Sequence, residues 1–387
     1  MSQKKLLGTK KDRNNKMKIL YIGHYKEGSG WSQAAIDYIL ALDSIGIDVV
    51  CRDIKLTNNK FDIPDKILSL ESKSLDNIDY CIQHVLPHHL VSTNKFKKNI
   101  AYFAGETNTI KHLLWFENLK NMDEVWVPNS DYKNILKNDG ISNVHCVPHT
   151  FNLDKFKTKH NNINFKEYDS YFKFYTISDL NDRKNIESIL RCYYSEFTND
   201  DGVVLVLKLR RSGIDPAVLD NHLKKTIEQI KKELRIHKDM SKYPPEVIIN
   251  IDLKSSDILS LHQSCDCFIN LSHGEAWSIP SFDAMCFGKT PICSRTGGPT
   301  EFINIDNPST GKLIDGIYSI CNHQDPAFME LCSGKEEWFT PSESLAKRAM
   351  RYMLNNKDNI DRTAGLLRGE TYNYENIATL IRNLLND

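Results

Sequence analysis

The sequence lacks a surplus of charge of either sign: 50 lysines and arginines stand against 50 aspartates and glutamates. A nucleic-acid binder would carry a basic excess to neutralise phosphates, with aromatics set among it, whereas the aromatics here lie in apolar runs. Nucleic acid is therefore excluded as a partner. CxxC pairs are also missing. The ten cysteines are scattered from Cys51 to Cys332, and the closest two, Cys265 and Cys267, sit in the apolar run DCFINLS. They read as reduced core thiols of a cytoplasmic protein, and neither a metal nor a cofactor is expected. The best metal counter-candidate, Cys321-Asn322-His323, is one pair without a second. No apolar run approaches the ~18 residues of a membrane span, and no signal peptide is recognisable, so the chain is expected to stay inside the cell.

What is present points to two domains. A chain of 387 residues exceeds one domain of about 100–200 residues, and two is the simplest division. Residues 1–16 are basic and read as a disordered tail, able at most to make weak, salt-sensitive contact with an anionic membrane surface. Short β-branched runs then alternate with longer amphipathic stretches, the pattern of βα units around a parallel sheet. The runs KILYIG, DVVCRD, DYCIQHV, NIAYFAG, DEVWVP and NVHCVPH form one series; FKFYTIS, VVLVLKL, EVIINID, DCFINLS and TPICS form a second. A polar stretch from Phe156 to Tyr171 separates them. The boundaries predicted are 17–160 and 161–370, with a final helix, 371–387, crossing back to the first domain. Two doubly wound α/β domains would face each other across a cleft, with ligands at the carboxyl ends of the strands.

The most informative segment is LSHGEAWSIPSFDAMCFGKTPICSRTGGPTE, Leu271 to Glu301. A strand ends at Leu271, a loop carries Glu275, and a helix opens near Ser278 with Pro280 in its first turn, where a missing N–H costs little. The helix ends at Gly288. Its N-terminus suits a diphosphate, and the carboxylates of Glu275 and Asp283 suit sugar hydroxyls. A second motif, SDLNDRKNIESIL, follows the first strand of the second series and sets Arg183 beside Lys184 at a strand-to-helix turn. A guanidinium fork and an ammonium there would stabilise charge on a leaving diphosphate.

In this order the motifs resemble those of the retaining, family 4 (group 1) glycosyltransferases of the GT-B fold, built of two Rossmann-like domains. The resemblance covers nearly all of Met17 to Asp387. It implies that Glu275 contacts the donor sugar and that Asp283, standing where the family has a second Glu, contacts the ribose. Ala276-Trp277-Ser278 replaces the more usual Gly-Phe-Gly, and Ile279, Gly298 and Glu301 complete the donor side. Lys184 matches the family's phosphate-binding lysine; Asp179 stands where many members have the arginine, which is displaced here to Arg183. The pattern carried by Pro148, Asn152 and Phe156 also continues the family's.

The acceptor is expected on the first domain. In GHYKEGSGWSQAAIDYILAL, Gly28 and Gly30 make a flexible loop before a helix. It is not a dinucleotide fingerprint, since Gln33 occupies the third glycine position. The resemblance places Gly30 in the cleft. His84 and Glu106 follow the third and fourth strands; His84 reads equally as a structural histidine, and Glu106 stands where many members carry a histidine. The implied reaction moves a sugar from a UDP- or GDP-sugar to a hydroxyl of a glycan, lipid or protein, with retention and without a metal, there being no DxD pattern placed to hold one. A nucleotide-sugar epimerase on the same fold and a non-catalytic nucleotide-sugar-binding protein are the alternatives. Oligomeric state leaves no signature.

Overall fold

The computed structural model describes residues 17–56, 61–211, 213–322 and 331–387, so the basic tail and His323 lie outside the described residues. The first sheet comprises β1 (Lys18–Gly23), β2 (Asp48–Asp53), β3 (Tyr80–His84), β4 (Lys98–Tyr102), β5 (Glu124–Val127) and β6 (Val144–Cys146), in the order β2-β1-β3-β4-β5-β6. The second comprises β7 (Phe172–Asp179), β8 (Val203–Arg210), β9 (Glu246–Ile249), β10 (Cys267–Asn270), β11 (Ile292–Ser294) and β12 (Lys312–Ile314), in the order β12-β11-β10-β7-β8-β9. Every pairing within both sheets is parallel. Both are therefore covered on two faces, and VVLVLKL in β8 is buried throughout as a strand of that kind must be.

Three elements differ from the sequence reading. Strand β12 is only Lys-Leu-Ile, too short to show a period. An antiparallel hairpin, β13 (Gly316–Ile320) with β14 (Glu337–Pro341), stands apart from the main sheets. Gly30 is not in a loop: it opens helix Gly30–Ser44, whose N-cap Ser29 accepts from the Ser32 amide in a capping box. Gly28 keeps the loop conformation, at φ +66°.

Helix Tyr374–Asn386 lies against helix Gly30–Ser44, and the Tyr80 hydroxyl donates to the Leu385 carbonyl at 2.7 Å. One apolar cluster joins this helix and the first sheet to Trp277, Phe282 and Phe302 of the second half of the chain. Phe282 stacks on Phe151 at 4.0 Å. All ten cysteines are free thiols; eight are buried, and Cys146 and Cys332 are partly so. No helix among the described residues is long and apolar enough to cross a membrane.

Within this shared core sits Asp37, whose carboxylate accepts from the Tyr374 hydroxyl at 2.5 Å and the Gln33 amide at 3.0 Å. Burial raises its pKa from 3.8 to about 6, against the opposing pull of Lys155. The native state thus holds a proton that the unfolded chain has released, and stability falls as pH rises from 3.8 to about 6. Asp37→Asn is expected to abolish that part of the loss, so the stability difference between variant and wild type should shift in the variant's favour across this window in urea titrations at a series of pH values.

Candidate donor site between two facing loops

The chemistry gathers where the loops after β4, β7 and β10 meet. Strand β7 ends at Asp179 and leads into the short turn Asp182–Lys184, whose amide at Lys184 is capped by the Asn181 side chain. That turn sets two cations side by side. From β10, the chain passes through Gly274 and Glu275 into helix Ile279–Cys286. The Lys184 ammonium reaches Glu275 Oε1 at 2.6 Å, and Asn270, the last residue of β10, donates to the same oxygen at 3.1 Å. Arg183 Nη1 lies 3.6 Å from Glu275 Oε2, donates to the Gly274 carbonyl at 2.6 Å, and pairs with Glu106 Oε1 of the opposite domain at 2.8 Å. Burial works to raise the pKa of Glu275, but Lys184 and Arg183 outweigh it and hold the carboxyl below its ordinary value.

The approach of the facing loops is close. A Cβ on Gly274 would stand 2.3 Å from the Glu106 carbonyl oxygen. The pair Gly297-Gly298 fits equally tightly: a Cβ on Gly297 would meet the Glu275 carbonyl at 2.0 Å, and one on Gly298 the Trp277 backbone at 2.2 Å. The Gly298 amide donates to the Glu275 carbonyl at 2.9 Å. These glycines support the Glu275 loop from behind.

The Ala-Trp-Ser sequence has a structural cost and a compensation. Ser278 holds φ +70°, ψ +70°, a conformation that glycine adopts freely and serine does not. Its hydroxyl is held by Asn270 at 2.8 Å and Ser281 at 2.6 Å. Trp277 is buried among His149, Phe151, Phe282, Phe302 and Tyr372. The Ala276 carbonyl accepts from Asn129 of the first domain at 2.8 Å. Glu301 likewise reaches the first domain, accepting from the Ser130 amide at 2.5 Å. In return the Asp131 carboxylate accepts from the Gly297 amide and the Thr300 hydroxyl, each at 3.2 Å.

The remaining predicted residues have partners outside the Glu275 cluster. Both oxygens of Asp283 accept from Lys155, at 2.8 and 3.0 Å; burial raises its pKa despite that partner. Gly30 faces helix Ile279–Cys286, its Cβ position 3.8 Å from Ile279. His84 is buried: the Tyr21 hydroxyl lies 2.9 Å from Nδ1, and Trp31 stacks on the ring at 5.3 Å. Burial pushes its pKa well down, so it is held neutral as a core residue. Asp179, in place of the family's arginine, pairs with Arg210 at 3.2 Å. Asn270, Lys155, Asn129 and Asp131 escaped the sequence reading. The first two carry a legible signal only in retrospect, as polar residues closing a strand and a linker; the others look like an ordinary helix cap.

A model of the glycosyl transferases group 1 family matches residues 164–316, which span β7 to β12 and both cations. The chain resembles that family over about two fifths of its length. A glycogen synthase of Thermodesulfovibrio yellowstonii is 24% identical over 208 residues, covering 50% of this chain and 41% of that protein. The chain thus spans about two fifths of that relative's length. Among solved structures, Anabaena HepE in complex with UDP-glucose superposes with a TM-score of 0.64 at 13% identity, over 96% of this chain and 99% of that one. Sucrose-phosphate synthase from Thermosynechococcus elongatus gives 0.63 at 14% identity, over 96% and 98%. The fold is GT-B, and the segment that matches the group 1 model lies in its second half.

Lys155 is what makes the buried Asp283 tolerable, since removing one partner of a buried ion pair costs about 3–5 kcal/mol of stability. Lys155→Met is expected to destabilise the protein by about that much in chemical denaturation. Adding Asp283→Leu should recover most of the loss.

Proposed function

We propose that this protein is a glycosyltransferase that takes a sugar from a nucleoside diphosphate sugar, UDP- or GDP-linked, and passes it with retention to an acceptor hydroxyl held on the first domain. The observation that carries this reading is the cluster of Lys184, Arg183 and Glu275 at the carboxyl ends of β7 and β10, faced across the cleft by Glu106. It is supported by the group 1 match over those residues and by the likeness in fold to a protein solved with UDP-glucose.

In this mechanism Lys184 and Arg183 bind the diphosphate and stabilise the charge that grows on it as the bond from the anomeric carbon to the phosphate oxygen breaks. Two cations so placed make a metal unnecessary. Glu275, ionised and oriented by Asn270, accepts from the sugar hydroxyls and fixes the anomeric carbon in place. Asp283, oriented by Lys155, retains lone pairs for the ribose. The acceptor oxygen attacks the anomeric carbon from the face that the phosphate leaves, and its proton passes to the departing phosphate oxygen. Atoms balance with one glycoside and one nucleoside diphosphate formed.

The test is incubation with UDP-, GDP- and ADP-sugars, measuring free nucleoside diphosphate. Release from one donor is expected, with Glu275→Ala lowering turnover by about 100-fold or more, the scale on which positioned electrostatic groups act. An inverted anomer in the product would refute retention. Release accompanied by an epimerised sugar, with no glycoside, would replace transfer by epimerisation.

A further inference from the structure

The four charged groups at the cleft sum to zero, two cations against two carboxylates, and they are not held equally. Glu275 is fastened by Lys184 at 2.6 Å and Asn270 at 3.1 Å, with Arg183 beyond. Its side chain is 9% exposed. Glu106 is the most exposed member at 31%, comes from the other domain, and is tied through Arg183 at 2.8 Å. Arg183 itself is largely buried, and its Nε is a buried donor without a hydrogen-bond partner among the described residues. A diphosphate entering this cluster brings at least two further negative charges. Like charges in a poorly hydrated cleft repel strongly, so one carboxylate must give way. The less fastened one is Glu106.

We propose that the Glu106 carboxylate is a built-in competitor of the diphosphate for Arg183. It withdraws as the nucleotide enters and returns as the spent nucleoside diphosphate leaves, so that product does not remain clamped between two cations. Glu106 is then a positioning residue acting through Arg183, not a group that touches the reacting atoms. This rests on the proposed function, because it takes Lys184 and Arg183 as the diphosphate site.

Inorganic pyrophosphate, which needs no knowledge of the base, and UDP are the probes, titrated calorimetrically into the full chain. Glu106→Gln is expected to bind both about tenfold more tightly, about 1.4 kcal/mol, with Glu106→Ala as a second variant should the first fail to fold. Lys184→Met should bind at least about tenfold more weakly. A gain of affinity is not something a damaged fold produces. In an Arg183→Gln background the gain should vanish, since the competition is for that guanidinium. Unchanged or weaker binding in both Glu106 variants, or a gain that survives without Arg183, overturns the inference while a weakened Lys184→Met leaves the donor site standing. If wild type binds neither pyrophosphate nor UDP, GDP or ADP, the donor site falls and the inference with it.

Discussion

A carboxylate taken out of water has to be matched by positive charge or give up its own, and the arrangement around Glu275 follows from that requirement. Lys184 and Arg183 supply the charge, Asn270 supplies a further donor, and the result is an ionised Glu275 in a site that excludes most solvent. Each of these groups depends on a different element. The cations hang on the turn after β7, Asn270 closes β10, and the loop backbone is held from behind by Gly297 and Gly298. Parallel strands bring these ends to one edge of the sheet, which is why residues 91 positions apart in the chain share one charge cluster.

Contacts of this kind also join the domains. Among the described residues, polar contacts between the domains include Arg183 to Glu106, Asn129 to Ala276, Ser130 to Glu301, Gly297 and Thr300 to Asp131, and the bonds between Asn108 and Glu337. Phe151 also stacks on Phe282, and Lys155 pairs with Asp283.

The parts of the fold that were legible in the sequence are those set by local pattern. Eleven strand runs stand out because a strand buried on both faces is written as a continuous β-branched stretch; β12 and the β13–β14 hairpin do not, being short or half-exposed. Helix Ile279–Cys286, with Pro280 in its first turn and Gly288 at φ +68° just past its end, is bounded by the covalent limits of those two residues. Gly30 looked like a loop residue because glycine is a poor helix former, and the capping by Ser29 decides otherwise. At the site, the neighbourhood of Arg183, Lys184 and Glu275 was readable as motif order. The partnership of Asp283 with Lys155, the burial of His84 among Tyr21, Tyr38, Tyr102 and Trp31, and the reach of Glu106 to Arg183 were not.

The sequence by itself determined the two parallel sheets, the reduced thiols, and the likeness of the second half to the group 1 family, because strand periodicity, cysteine spacing and motif order are properties of neighbouring residues. Tertiary structure alone decided which carboxylate meets which cation. Ion pairing depends on distance through space, and the partners of Glu275, Asp283 and Glu106 lie 91, 128 and 77 residues away in the chain. No local pattern encodes such a separation; the strand order does.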